Sequence, residues 1–438
     1  MNWVLSLVLI VALLIIIFFS AMPIAFAFMT LNFICLYIWA GGPGSWFIVV
    51  NSAFESMTST VFLAVPPFIL MGEILFHTGT SWLIIDALDR WVGRIPGRLS
   101  ILAILSGVVL ATLTGSSLGS VVMIGSVLVS EMYKRGYSAS MVLGPCAASG
   151  GLAILIPPTM LGIIAASLVK VSVGDFLIAI IIPGLILSAL YFGYVLLRAG
   201  LQPALAPPYQ RKRIPLSEKM AALPHILSLA IVIFLVLGVI FLGVATPSEA
   251  AALGVIGVLI VCAIHQRLSW EALRKAVISC AKITVMLMTI VMGSMAFSQL
   301  MAYTGAAGGL AAWAGALQVP KFVLYLLMIS VMLCLGCVMD GVAVMMISIP
   351  IFVPIVKAAG FDLVWFTVVL LVGVETGMIT PPFGLNLFAI KGVAQGNTMG
   401  QVFKSTFPFV ICCVILLLLL YAFPQLATWL PLLMHRNL

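Results

Sequence analysis

The chain has 438 residues, of which 64% are hydrophobic and 7% charged, with a formal net charge of +8. A soluble globular domain carries roughly 25% charged residues, so this composition excludes water as the main solvent. The basic excess lies in short loops between apolar runs rather than on one polar face, which excludes a nucleic-acid partner.

The first uncharged run, 3–19, reads as a retained anchor rather than a cleaved signal. No Lys or Arg precedes it, and it outlasts the about 7 to 15 residues of a typical signal core. A second spanning run, a third at 51–76, an interfacial stretch at 81–93, a hairpin candidate at 99–131, a helix at 138–169 and a last spanning helix complete the first half. After a Pro-rich basic linker at 201–222 the order repeats, with a third run at 275–300, an interfacial stretch at 304–317, a hairpin candidate at 322–357, a helix at 362–392 and a final span. Pro157-Pro158 and Pro381-Pro382, Gly136 and Gly360, and Pro23 and Pro247 are each 224 residues apart. One offset shared by three separated regions marks an internal repeat. With about five crossings in each half, an odd number, the second half enters from the opposite face, as in many secondary transporters. The predicted fold class is therefore an all-α polytopic membrane protein of two inverted-topology repeats. Placing the N-terminus outside puts most Lys and Arg residues, among them Arg90, Arg94, Arg98, Lys134, Arg135, Lys212 and Lys275, on the inner side, as the positive-inside rule requires.

The hairpin candidates are interrupted at Thr114 to Ser120 and at Gly336 to Gly341. Non-helical backbone at membrane depth is tolerated only inside protein or along a watery cavity, so each re-entrant tip should meet a site. The helices that follow are broken by the proline pairs. Each proline removes the amide donor for the carbonyl one turn earlier, which frees carbonyls around Ala153 to Ile156 and around Gly377 to Thr380. Freed carbonyls suit a hard cation, and the N-terminus of a half-helix suits an anion. One broken helix alone would read as a packing kink; two copies, each paired with a polar tip at the same offset, point to a site.

Polar groups inside apolar segments are costly and face a partner or cavity. Asp340, aligned with Ser116, either touches cation or substrate or fixes the hairpin. Glu375 is expected to bond backbone in its broken helix, and Asn386 to cap freed groups or reach substrate. Glu55, Glu73 and His77 read as structural or subunit-contact residues. Gly115 to Gly119 also fits the G-x-S-x-G nucleophile pattern, which leaves an intramembrane hydrolase as an alternative; that chemistry needs a His base with a carboxylate partner, and the four His residues lie at helix ends, in the linker region and at the tail. The Cys334/Cys337 pair has no second pair and reads as core packing. No Gly-rich phosphate loop or metal-ligand cluster is present in the sequence.

Seven stretches resemble the large membrane subunit, DctM type, of the tripartite ATP-independent periplasmic (TRAP) transporters: GRIPG at 93–97, TGSS at 114–117, EMYKRGY at 131–137, IPPT at 156–159, IPGL at 182–185, ATPSEAAA at 245–252 and GMITPPFGLN at 377–386. In this order they cover nearly the whole chain. The resemblance implies an elevator, with scaffold segments 1–97 and 223–320, a linker at 201–222, and a transport domain from 98–200 and 321–438. It implies two Na+ sites, the first at Thr114, Ser117, Ala153, Ile156 and Pro158, the second at Gly336, Gly377, Thr380 and Phe383, with substrate near Ser116, Ser117, Asp340 and Asn386. It also implies sodium-driven import of a small organic acid, such as a sialic acid or dicarboxylate, across the bacterial inner membrane. Two partners follow from it, a small four-helix membrane subunit (DctQ type) and an extracytoplasmic solute-binding protein (DctP type). A stand-alone ion or anion transporter of related fold is the alternative within transport. The chain departs from the family at Gly119-Ser120, where an Ala-Thr pair is usual, and at Ala153, where glycine is common; both keep a small residue and a backbone carbonyl.

Overall fold

The computed structural model describes residues 3–20, 22–93, 95–114, 117–207, 215–316 and 319–436. Much of the expected linker and the hairpin position Ser116 therefore lie outside the described residues. Regular structure in the described residues is helical. The first half contains α1 (Trp3–Phe19), α2 (Ile24–Trp39), α3 (Trp46–Thr58), α4 (Val65–His77), α5 (Thr80–Trp91), α6 (Arg98–Thr114), α7 (Ser117–Lys134), α8 (Ala139–Ser149), α9 (Leu152–Leu155), α10 (Met160–Val169), α11 (Val173–Ala179) and α12 (Ile181–Leu201). The second contains α13 (Leu216–Phe241), α14 (Pro247–Ile264), α15 (Trp270–Tyr303), α16 (Ala306–Ala316), α17 (Lys321–Gly336), α18 (Gly341–Ala358), α19 (Leu363–Met378), α20 (Leu385–Val393), α21 (Met399–Ala422) and α22 (Gln425–Arg436).

Among the described residues, seven helices are long and apolar enough to cross a membrane, or eight if 139–155 and 160–169, bent by 46°, form one span. Several others, such as α2, α17 and α19, have 16 residues, which reach roughly 24 Å at 1.5 Å per residue, short of the roughly 30 Å hydrocarbon core. Phe26, Phe54, Phe234 and Leu63 point outward from the helices, each more than half exposed. Such a belt belongs against lipid, because a water-soluble monomer keeps contiguous apolar patches small.

The third run of the first half is not one helix. Pro66 and Pro67 occupy the first helical positions of α4, where missing amides cost nothing, and a 3-10 turn at Thr60–Ala64 separates α4 from α3. The corresponding run of the second half, α15, has no internal proline and continues unbroken for 34 residues. The interfacial stretches form the short helices α5 and α16. Helix α14 starts on a capping box: the Thr246 hydroxyl accepts from the Glu249 amide while the Glu249 carboxylate accepts from the Thr246 amide, which satisfies two orphan donors reciprocally.

Two sets of helices pack densely within themselves and also meet, α18 on α15 and α16, and α6 on α4 and α5. Helix α15 lies on α2, α3 and α4, with α13 and α14 beside them; α8 lies on α6, α7 and α21, and α19 on α17, α18 and α21. Glycine permits the closest approaches. A β-carbon on Gly336 would stand 2.8 Å from the α-carbon of Gly377, and one on Gly377 would stand 2.6 Å from the α-carbon of Gly336. The α17 and α19 backbones therefore touch at the level of the helix breaks, the small-residue packing typical of membrane helices. Gly377→Ala should force these helices apart at about 1–3 kcal/mol, the usual cost of overpacking, and lower the apparent melting temperature of the purified protein. Gly392→Ala, where a β-carbon meets nothing within 4 Å, should cause no loss; equal melting of the two variants would contradict this packing.

Candidate functional site

Helix breaks at 156–159, 337–340 and 379–384 lie where the sequence places them, while 115–116 of the first tip lie outside the described residues. Helix α6 ends at Thr114 and α7 starts at Ser117; α17 ends at Gly336 and α18 starts at Gly341. In the first broken helix, α8, α9 and α10 are separated by Gly150-Gly151 and by 156–159; in the second, α19 and α20 are separated by 379–384. Both proline pairs are joined by cis peptide bonds.

Three polar side chains from distant parts of the sequence meet in the interior. Ser117 is 2% exposed, and Glu375 and Asn386 are 0% exposed. The Asn386 amide nitrogen donates to the Ser117 hydroxyl at 2.6 Å and to Glu375 Oε1 at 3.0 Å. The Ser117 hydroxyl donates to the same Glu375 oxygen at 3.4 Å. Glycine again makes the room: a β-carbon on Gly150 would lie 2.7 Å from the Ser117 carbonyl oxygen, and one on Gly151 would lie 2.5 Å from Glu375 Cδ. Glu375 thus bonds side chains of the first hairpin and of α20, not the backbone of its own helix as the sequence suggests. Asn386 Oδ1 and Glu375 Oε2 are buried acceptors without a hydrogen-bond partner. A buried carboxylate with no basic side chain among its partners is costly, and native structures seldom leave such groups open without a reason.

At the first break, Pro157 and Pro158 deprive the carbonyls of Ala153 and Ile154 of their usual donors. Among the described residues, no backbone amide bonds the carbonyls of Ile156 or Pro158. The Gly162 amide turns instead to the hydroxyl of Thr159, the N-cap of α10, at 3.4 Å. Ala153 and Pro158 are buried, and α9 packs against α6 and α7. The Thr114 side chain and all of Ser116 lie outside the described residues.

The second break is more self-satisfied. The Gly377 carbonyl accepts from the amides of both Ile379 and Thr380, the latter at 3.0 Å, and the Thr380 hydroxyl donates to the Thr376 carbonyl at 2.5 Å. The Phe383 side chain is exposed. The Cys337 thiol donates to the Pro381 carbonyl at 3.3 Å, so this cysteine ties the second tip to the second break rather than serving as packing alone. Asp340 is the N-cap of α18 and accepts from the Ala343 amide at 3.1 Å. It fixes the hairpin and is not among the hydrogen-bond partners of the Ser117 cluster.

Two residue pairs escaped the sequence reading: Gly150-Gly151, whose signal was a double glycine inside a helix already broken by proline, and Cys337 with Pro381, which had none. Glu73 and His77 pair at 3.2 Å along one face of α4, and Glu55 is exposed on α3. Among the described residues no histidine bonds Ser117. His77 faces Glu73, His225 stacks on His265 and His435 faces Asp175.

A sequence model described as "Tripartite ATP-independent periplasmic transporter, DctM component" matches residues 9–426. The chain is 30% identical over 379 residues to the C4-dicarboxylate TRAP transporter large permease protein DctM of Pseudomonas aeruginosa, across 86% of this chain and 88% of that one. It is 28% identical to the ectoine/5-hydroxyectoine TRAP transporter large permease protein UehC of Ruegeria pomeroyi, across 84% and 85%. It is also 28% identical to the isethionate TRAP transporter permease protein DctMQ of Oleidesulfovibrio alaskensis, across 85% of this chain and 58% of that longer one. In fold it is similar to the YdaH transporter of Alcanivorax borkumensis, with a TM-score of 0.64 at 16% identity across 93% of this chain and 100% of that one. It is likewise similar to MtrF of Neisseria gonorrhoeae, with a TM-score of 0.60 at 12% identity across 92% and 95%.

Removing members of the polar cluster should cost stability in a fixed order. Ser117→Ala leaves the Asn386 amide bonded to Glu375 and should cost about 1 kcal/mol, whereas Asn386→Ala strips a buried carboxylate of its nearest donor and should cost about 2–3 kcal/mol. Thermal melting of the purified variants gives the order, and Ser117→Ala melting below Asn386→Ala would contradict the geometry.

Proposed function

The chain belongs to the DctM-component family of tripartite ATP-independent periplasmic transporters, and from that premise we propose that it is the subunit through which a small organic acid anion enters the cell together with sodium. Its relatives are transporter permeases, so it is a multi-pass membrane protein and not an enzyme; the hydrolase alternative is set aside. A tripartite system has two further components, a small membrane subunit and a periplasmic binding protein. We assign the first to the four-helix DctQ type and the second to the DctP type that delivers the acid. One relative is named DctMQ and extends well beyond the matched region. The membrane is the bacterial inner membrane, with the N-terminus on the periplasmic side.

The observation that carries the transport reading is the meeting of both interrupted helices and the start of α7 at Gly151, Ser117, Glu375 and Asn386 in the protein interior. The chemistry there is that of oxygen acceptors with no basic side chain, which suits a hard monovalent cation. The first cation site would use Thr114, Ser117, Ala153, Ile156 and Pro158; the open carbonyls of Ile156 and Pro158 favour it. The second would use Gly336, Gly377, Thr380 and Phe383, and there the backbone contact of Gly336 with Gly377 is the supporting feature. Substrate would lie beside the tips, near Ser116, Ser117, Asp340 and Asn386. Cations bound there offset the charge of an incoming carboxylate in a region that itself carries acids. Each sodium that enters down a membrane potential of 100 mV also releases about 2.3 kcal/mol. The dense packing of α6 to α12 with α17 to α22 supports an elevator in which this set moves against the helices around α15, which it meets where α18 touches α15 and α16 and where α6 touches α4.

Uptake by proteoliposomes that hold this chain, its small membrane subunit and its loaded binding protein tests the reading. Replacing external sodium by potassium at equal ionic strength should reduce uptake at least about tenfold, the equivalent of about 1.4 kcal/mol of driving free energy. Uptake that is indifferent to the exchange would refute sodium coupling.

A further inference from the structure

The turn of α19 from Glu375 to Gly377 touches both hairpins at once. On one side Gly377 lies against Gly336, the last residue of α17. On the other, the Glu375 side chain reaches Ser117 at the start of α7 and Asn386 on α20. It also lies against Gly151 between α8 and α9, where a β-carbon would stand 2.5 Å from Glu375 Cγ.

Gly151 is also the residue 224 positions before Glu375, its counterpart in the repeat. In a structure with a pseudo-twofold axis, a residue touches its own counterpart only close to that axis. Two carboxylates there would clash and repel, so one half supplies Glu375 and the other leaves the space. The position of Asn386 is likewise taken by Gly162 in the first half. A carboxylate oxygen only accepts hydrogen bonds. Glu375 therefore turns the nitrogen of the Asn386 amide toward itself and Ser117, and leaves Asn386 Oδ1 and its own Oε2 as fully buried open acceptors. A group that merely held the bundle together would have its lone pairs satisfied.

We propose that Glu375 is a positioning residue that couples the two cation sites across the repeat axis. Through Asn386 it fixes Ser117 of the first site, and along one turn of helix it fixes Gly377 of the second. Ordering of either site then orders the other. The inference rests on the sodium-coupled reading above.

Thermal unfolding of the purified full chain, followed while sodium replaces potassium at constant ionic strength, measures the coupling without any transport step. For the wild type the sodium dependence should be sigmoidal with a Hill coefficient near about 2, the limit for two coupled sites. Glu375→Ala should bring it to about 1 and raise the half-saturating sodium concentration about tenfold, a loss of coupling within the usual range. Glu375→Gln, whose amide oxygen still accepts from Asn386, should retain the cooperative curve. A purely structural Glu375 would lower the melting temperature without sodium and leave the Hill coefficient unchanged in Glu375→Ala; that result overturns the proposal. If Glu375→Ala does not fold, Asn386→Ala cuts the same link from the other end, and an unchanged Hill coefficient there overturns the proposal equally. A wild type with no sodium-specific shift would end the sodium reading and this inference with it, whereas a cooperative shift that survives in Glu375→Ala or Asn386→Ala ends the inference alone.

Discussion

Inside a bilayer, a helix that stops must hand its unpaired amides and carbonyls to other parts of the protein, because lipid offers them nothing. Among the described residues this chain stops helices at 156–159, 337–340 and 379–384, and the rest of the architecture follows from the need to bring those stops together in the interior. The small residues Gly150, Gly336 and Gly377 let backbones come within contact there, and Gly151 leaves room for the Glu375 side chain. Caps from Thr159 and Asp340 satisfy restarting helices, and the Cys337 thiol takes up the carbonyl of Pro381. What remains unsatisfied is a short set of oxygens, and that remainder is where a cation or an anionic cargo has something to gain.

The two halves solve the same problem unequally. At the first break the carbonyls of Ile156 and Pro158 stay open, while at the second Thr380 folds back on Gly377 and Thr376. The carboxyl side chain at the junction, that of Glu375, lies against Gly151, where a β-carbon would leave it no room.

The stops were legible because proline and glycine act locally: a missing amide or a bare α-carbon alters the helix at its own position. The tip at Gly336 to Gly341 and the break at Pro381-Pro382 needed no knowledge of the rest of the chain. The Ser117 cluster was not legible as a cluster. Its members are 258 and 269 residues apart, and a single sequence holds no signal for which distant polar groups meet. Glu375 therefore appeared as a costly residue in want of a backbone partner, when its partners are side chains from the other half and from α20. The division of the first third run had a visible cause in Pro66-Pro67, but an apolar run is read by its average, and the average conceals a joint.

That joint has a mechanical consequence. Helix α15, at 34 residues, measures about 51 Å at 1.5 Å per residue and outreaches the hydrocarbon layer of about 30 Å. Its first turns carry Glu271 paired with Lys275 at 2.7 Å, both well exposed, so this end stands in water while the other lies against α2 and α4. A continuous hydrogen-bonded rod carries a push at the wet end to its far end as a lever does. The matching element of the first half, hinged between α3 and α4, absorbs such a push at its turn.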